Sequence, residues 1–90
     1  MSPGLTQRAR RAGSTLVNRN IVVGGRRTSV RLEPAMWDAL REIAAREQRT
    51  LHQLVTDIDS RREASSLTAA IRVFIVVYWR AAASRNPVPL

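Results

Sequence analysis

The sequence predicts a mainly α-helical domain with one short β-strand, folded as half of a dimer. Two observations predict this fold: a segment of alternating apolar and polar residues precedes three segments with helical spacing, and the chain has only 90 residues. A domain of this size buries a modest core. It has no cysteine and one histidine, so neither disulfides nor a structural metal site are available to stabilise it. Oligomerisation is the remaining route.

The positive charge is concentrated in the N-terminal third of the chain. Residues 1–32 hold seven arginines and no acidic residue, a net charge of +7. Residues 33–90 hold eight arginines and seven acidic residues, a net charge of +1. A basic N-terminal segment on a nearly neutral body indicates a polyanionic partner, either nucleic acid or an anionic membrane surface.

The composition divides the chain into three parts. Residues 1–19 combine Gly, Pro and Ser with scattered arginines, and we expect a disordered basic arm, although an organellar transit peptide has a similar composition. Residues 20–83 form the predicted domain. Residues 84–90, with two prolines, are expected to be a disordered tail.

The strand is predicted from a strict alternation over residues 27–32. Thr28, Val30 and Leu32 lie on one side, and a cationic, hydrogen-bonding set lies on the other. A lone strand leaves backbone groups unpaired. Its partner is either residues 21–23, in a hairpin across Gly24 and Gly25, or the same strand of a second chain. We favour the second chain, since it also supplies neighbours for the third helix.

Three helices are predicted after the strand. Pro34 suits a first helical position, and Thr50 with Gln53 fits a capping box that opens a second helix ending near residues 61–63. Ser65 and Ser66 offer an N-cap for the third.

The third predicted helix is apolar on almost every side, so a second copy is expected to cover it. Its most apolar stretch, residues 67–83, is interrupted by Arg72 and Arg80. A membrane span needs about 20 apolar residues with few or no charges, so we expect a buried helix instead.

Residues 26–80 carry a family resemblance. The alternating strand, the helix start at Glu33-Pro34 and the next start at Thr50-Leu51 resemble the ribbon-helix-helix DNA-binding proteins, in a longer variety typical of alphaproteobacteria. The resemblance implies an intertwined homodimer whose two strands, one from each chain, form an antiparallel ribbon in the major groove, as in Arc and MetJ. The segment from Ser65 also resembles that family's second helix, so two helices are candidates for that role.

The resemblance also implies roles for individual residues. Arg27, Ser29 and Arg31 are expected to read base edges. Phosphate contacts are expected from Arg26, Arg49, Thr50 and Leu51, the last two at a helix N-terminus. The predicted dimer core consists of apolar and aromatic residues at strand and helix spacing: Val30, Leu32, Trp37, Leu40, Leu54, Ile58, Ile71, Phe74, Ile75 and Tyr78.

We therefore expect a sequence-specific DNA-binding transcriptional regulator, a repressor, in the bacterial cytoplasm at the nucleoid. Its expected partners are double-stranded DNA and a second copy, with no membrane. The alternative is an antitoxin-like or other interaction module that binds a toxin or another protein. The sequence has no phosphate-binding glycine loop, nucleophile motif or metal-ligand spacing, and His52 has no partner ligand, so we expect no catalysis, metal or cofactor.

Overall fold

A computed structural model describes residues 15–85 as two strands followed by three helices. This confirms a mainly helical fold with an additional C-terminal helix. The elements are β1 (Val17–Val23), β2 (Arg26–Leu32), α1 (Pro34–Arg46), α2 (Leu51–Arg61) and α3 (Leu67–Arg85).

β1 and β2 form an antiparallel hairpin within one chain, with Val17 opposite Leu32 and Val23 opposite Arg26. The turn residues Gly24 and Gly25 have φ angles of +57° and +84°. Two positive φ angles are what a two-residue turn needs to match the twist of its strands, and glycine adopts them without strain. The expected single strand is therefore corrected to two, and β2 finds its first partner in its own chain.

Both predicted domain boundaries shift. β1 begins at Val17, so Val17–Arg19 belongs to the sheet, where Arg19 lies 5.8 Å from the centre of the Trp37 ring. The helix α3 continues to Arg85, past the predicted end at residue 83. The remainder of the predicted arm, residues 1–14, and of the tail, residues 86–90, lies outside the described residues.

The core lies between one face of the hairpin and the three helices. Ile21 and Val30 from the sheet are each 2% exposed, and Leu32 is fully buried. These alternate strand residues meet the apolar stripes of α1 and α2, so the two periodicities read from the sequence converge on one core. The largest helix side chains in it are Trp37, Leu40, Ile43, Leu54 and Ile71.

Trp37 ties the start of β1 to α1. Its indole Nε1–H donates to the carbonyl of Val17 at 2.9 Å, and its ring is 1% exposed. We expect Trp37→Phe to lower the free energy of unfolding by about 2 kcal/mol, because it leaves a partly buried carbonyl without its donor. Urea denaturation measures the change. Trp79→Phe is the control, since that indole N–H donates to nothing within residues 15–85; an equal loss for both variants would contradict the prediction.

Polar contacts from the middle of α3 hold it against the rest of the fold. The Arg72 guanidinium donates to both carboxylate oxygens of Glu33, at 3.0 and 3.2 Å, where β2 leads into α1. Almost two turns further along, the Tyr78 hydroxyl donates to Glu47 at 2.6 Å, which raises the pKa of Tyr78. The Arg46 guanidinium lies 4.9 Å from the centre of the Trp79 ring.

The outer face of α3 is not covered by the rest of residues 15–85. Val73, Val76 and Val77 are 62%, 51% and 59% exposed, whereas Ile71 and Ile75 on the opposite side are buried. The expectation that a second copy covers this face stays a prediction. By length and composition alone α3 is long and apolar enough to cross a membrane, which is weak evidence for a span.

Glu33 makes the stability of the fold depend on pH. A backbone hydrogen bond of Glu33, and then the Arg72 guanidinium, hold the pKa of the Glu33 carboxyl below its ordinary value. A lowered folded-state pKa contributes stability above the pKa of the unfolded chain, and that contribution disappears as the pH falls through the folded-state value. We expect the melting temperature of Glu33→Gln to fall less than that of the wild type as the pH is lowered from about 6 to about 3. Glu42→Gln, which removes a carboxylate without an ion pair in the described part of the chain, should follow the wild type.

Candidate nucleic-acid interface

The outward face of the hairpin is polar, cationic and free of acidic residues. Cross-strand neighbours point to the same side of a sheet, so the alternation that buries Ile21 and Val30 turns the residues between them outward. All of these residues are exposed, and the two strands contribute three each: Asn18, Asn20, Val22, Arg27, Ser29 and Arg31.

The predicted base-reading residues lie together on this face. Arg27, Ser29 and Arg31 occupy alternate positions of β2, each directly opposite a β1 residue of the same face. Neither arginine forms an ion pair or hydrogen bond within residues 15–85. Both guanidinium groups are therefore available to a ligand.

A hydrogen bond across the strands orients Ser29. Its hydroxyl donates to the side-chain oxygen of Asn18, diagonally across the hairpin. The hydroxyl hydrogen is then committed, and Ser29 presents only acceptor lone pairs to the outside. The two amide N–H donors of Asn18 have no acceptor among residues 15–85.

Side chains of α2 cap the outer edge of β1 where it meets the turn, at Val22 and Gly24. The Val22 N–H donates to Nδ1 of His52 at 3.0 Å, and the Gly24 N–H donates to Oγ1 of Thr56 at 3.0 Å. His52 and Thr56 are four residues apart on one face of the helix, so they meet alternate outward N–H groups of the strand. These two positions were not predicted from the sequence, which gave His52 no role.

The outer edge of β2, by contrast, is open. The Val22 N–H points away from β2, so Val22 and Arg27 form a pair without backbone hydrogen bonds between them. Such pairs alternate along an antiparallel hairpin, so the pairs Asn20–Ser29 and Asn18–Arg31 are also of this kind. The backbone groups of Arg27, Ser29 and Arg31 therefore point away from β1. No side chain of the described residues caps them.

The caps on β1 predict a local effect of substitution. We expect the double variant His52→Ala/Thr56→Ala to accelerate amide hydrogen exchange at Val22 and Gly24, since both N–H groups lose their acceptors. The free energy of unfolding should fall by about 1 kcal/mol.

The control for that variant is Ser60→Ala. Ser60 lies one turn further along α2 and donates only to the Asp57 carbonyl of its own helix. Unchanged exchange at Val22 and Gly24 in the double variant would disprove the capping role of His52 and Thr56.

The N-terminus of α2 is capped as the sequence predicted. Thr50 Oγ1 accepts from the Gln53 N–H at 3.1 Å, and Gln53 Oε1 accepts from the Thr50 N–H at 2.9 Å. The N–H groups of Leu51 and His52 have no acceptor among residues 15–85. They remain as donors at the positive end of a helix.

The other two residues predicted to contact phosphate, Arg49 and Arg26, lie in different places in the structure. Arg49 lies beside the start of α2, where its guanidinium meets Asp57 at 3.4 Å and the Gln53 carbonyl at 3.5 Å. Arg26 is exposed at the hairpin turn, but it pairs with Val23 and so lies on the opposite side of the sheet from Arg27.

The ten predicted dimer-core residues all belong to the core of one chain. Phe74 and Tyr78 are half-buried, and the other eight are buried. Their role in contacts between two copies stays a prediction. Within residues 15–85 no group of three His, Cys, Asp or Glu side chains is arranged to hold a metal ion.

A family model for the ribbon-helix-helix domain matches residues 16–79, from the residue before β1 into α3. The chain belongs to the ribbon-helix-helix family. The ribbon-helix-helix fold is a non-enzymatic DNA-binding fold, so at family level this is a DNA-binding or regulatory protein. The family assignment agrees with the resemblance carried by the strand and the two helix starts.

A solved structure shares this ribbon-helix-helix chain's architecture. It is that of an uncharacterized protein from Bordetella pertussis Tohama I, with 31% sequence identity and a TM-score of 0.65. The match covers 96% of this chain and 72% of that one. No curated protein matches the chain.

Proposed function

We propose that the protein is a homodimeric, sequence-specific DNA-binding regulator of transcription, a repressor acting at the bacterial nucleoid, that inserts a β-ribbon into the major groove. The observation that carries the proposal is the outward face of β2, where Arg27, Ser29 and Arg31 stand exposed on a sheet whose other face is packed on the core. A two-stranded ribbon is of a size that the major groove admits.

The side chains of β2 suit different bases. Arg27 and Arg31 are free for the two hydrogen bonds that a guanidinium makes to O6 and N7 of guanine. Ser29 gives its hydrogen to Asn18, so it accepts from a base and favours the N6 amine of adenine or the N4 amine of cytosine. We therefore expect a half-site in which guanines flank an adenine or a cytosine.

The open edge of β2 supports the dimer. Arg27, Ser29 and Arg31 present backbone groups without partners among residues 15–85, while on the β1 side His52 and Thr56 accept from the Val22 and Gly24 N–H groups. Antiparallel pairing of β2 with β2 of a second copy, centred on Ser29, satisfies the open groups of both chains. The resulting sheet has four strands, with the two β2 strands in the middle.

Phosphate contacts complete the proposed interface. The free N–H groups of Leu51 and His52 and the exposed Thr50 lie at the N-terminus of α2, whose first turn contacts β1 through His52. This end of the helix suits an anionic phosphate. Arg49 lies beside it, paired with Asp57, and can reach a phosphate by exchanging that partner, whereas Arg26 lies on the other side of the sheet and is left out of the proposed interface.

Selection from a random pool of duplex DNA with the purified protein tests the function. We expect enrichment of an inverted repeat with guanine in each half-site, because a two-fold symmetric dimer reads a symmetric operator. Retention of DNA without enrichment of any sequence would contradict specific recognition. A reporter fused to the selected site, with and without the protein, then decides between repression and activation.

A second candidate, an interaction module of antitoxin type, is favoured by a separate observation. The exposed Val73, Val76 and Val77 line one side of α3, beside a cleft of about 580 Å³ between α3 and the end of α2. An apolar patch of this kind is typical of protein contacts. Purification from the native host as a free homodimer, with no partner in fixed stoichiometry, would count against this candidate.

A further inference from the structure

We propose that β1 holds the phosphate backbones on both sides of the major groove, through the side-chain amides of Asn18 and Asn20. This inference rests on the proposed function. It extends the proposed DNA-binding surface, whose strand residues the sequence predicts on β2 alone, to β1, and it adds contacts made by uncharged amides.

The first support is the position of the two asparagines. Asn20 lies opposite Ser29 and Asn18 opposite Arg31, both on the outward face and both exposed. Side chains at such non-hydrogen-bonded pairs lie close together. Whatever places Ser29 and Arg31 against DNA therefore brings Asn18 and Asn20 to the same surface.

The second support is the hydrogen-bonding state of these amides. The Asn18 oxygen accepts from Ser29, which fixes the side chain and leaves its N–H groups pointing to other partners. The Asn20 amide makes no hydrogen bond within residues 15–85. Both side chains thus carry free N–H donors, which is what an acceptor-only phosphate oxygen needs.

The third support is the width of the proposed sheet. Strands in a sheet lie about 4.8 Å apart, so in a four-stranded sheet with β2 in the middle each β1 runs about 7 Å from the two-fold axis. The major groove is about 12 Å wide, or about 6 Å on each side of its centre. The β2 strands then face the bases, and the β1 strands face the sugar-phosphate walls.

The fourth support is the neighbour of β1. His52, in the first turn of α2, accepts from Val22 of β1, so the N-terminus of the helix lies along the same edge of the sheet. The free N–H groups of Leu51 and His52 are on that edge as well. Asn18 and Asn20 extend this row of neutral donors onto the face that meets the DNA.

The test compares Asn18→Ala/Asn20→Ala with the wild type on the selected operator, on operators with single base changes, and over a range of salt concentrations. We expect a loss of affinity of roughly tenfold or more. For Asn20→Ala alone the loss should be equal on all operators, because phosphate contacts carry no sequence information, whereas Asn18→Ala also frees the Ser29 hydroxyl to donate. The slope of log K against log salt should stay unchanged, since a neutral amide releases no counterion.

An isosteric variant guards against a folding defect. Asn18→Asp/Asn20→Asp keeps the oxygen that accepts from Ser29 but sets negative charge against phosphate, and we expect it to bind more weakly than the alanine variant while its circular dichroism matches the wild type. Thr28→Ala, on the opposite face of the same hairpin, is the control and should keep its affinity.

Two results overturn the proposal: full affinity of the double alanine variant, or a loss for Asn20→Ala confined to one base position, which would make that asparagine a reader of sequence. Failure of the proposed function has a different signature. In that case the selection enriches no site, and substitution of Arg27 and Arg31 leaves binding unchanged.

Discussion

Replacing Arg27 and Arg31 together by alanine is expected to weaken binding to the selected operator by about a thousandfold. Each bidentate contact between arginine and guanine contributes roughly 1 to 3 kcal/mol of discrimination, and a dimer carries four such arginines. Taking the lower value, the loss is about 4 kcal/mol. Fluorescence anisotropy with the selected operator and with a scrambled duplex measures it.

The matched control for this variant is Arg41→Ala/Arg80→Ala. It removes the same charge from exposed helix positions, Arg41 on α1 and Arg80 on α3. We expect it to weaken binding to both duplexes slightly and equally, by loss of long-range attraction alone. An equal loss of specificity in the two double variants would mean that charge, and not the outward face of β2, decides recognition.

A single backbone substitution, Ser29→Pro, is expected to convert the dimer to a monomer. The Ser29 N–H points away from β1, so its removal leaves the hairpin ladder intact. In the proposed dimer, the same N–H pairs with the second copy at the centre of the sheet. We expect sedimentation equilibrium at micromolar concentration to give the mass of one chain, and operator binding to be lost with the dimer.

Ser29→Ala separates the backbone from the side chain. It removes the hydroxyl that donates to Asn18 but keeps the N–H, so it should remain a dimer. A dimeric Ser29→Pro protein would place the interface elsewhere, and the exposed face of α3 would be the next surface to substitute.

Local signals in the sequence predicted most of the fold. The alternation over residues 27–32, the proline at the start of α1 and the capping box at Thr50 each act over a few residues, and each is present in the structure. The hairpin partner of β2 was predicted only as an alternative, over residues 21–23, because Arg19 interrupts the apolar face of β1. In the structure the Arg19 guanidinium lies 5.8 Å from the centre of the Trp37 ring, so a cation occupies an inward position without being buried.

The candidate site was predicted only in part, because β1 was not predicted over its full length. Arg27, Ser29 and Arg31 follow from the pattern of β2, but Asn18 was assigned to the predicted arm, and Asn20, the first residue of the predicted domain, was given no role. The period-two spacing of Val17, Ile21 and Val23 was the signal that could have found them. No local pattern could have assigned His52 and Thr56, because their partners lie 30 and 32 residues earlier in the chain.

The capped N–H groups beside the turn also bear on the size of the assembly. In the proposed dimer, a two-fold axis uses both open β2 edges, and the outermost strands are β1 strands whose Val22 N–H, with that of Gly24 in the turn, already has an acceptor. Symmetric pairing of this kind is finite. Four of the seven residues of β1 are β-branched, a composition that favours the addition of further strands at an exposed edge. In the proposed dimer His52 and Thr56 therefore oppose growth of the sheet at the turn end of β1, because they occupy two donors that a further strand would need.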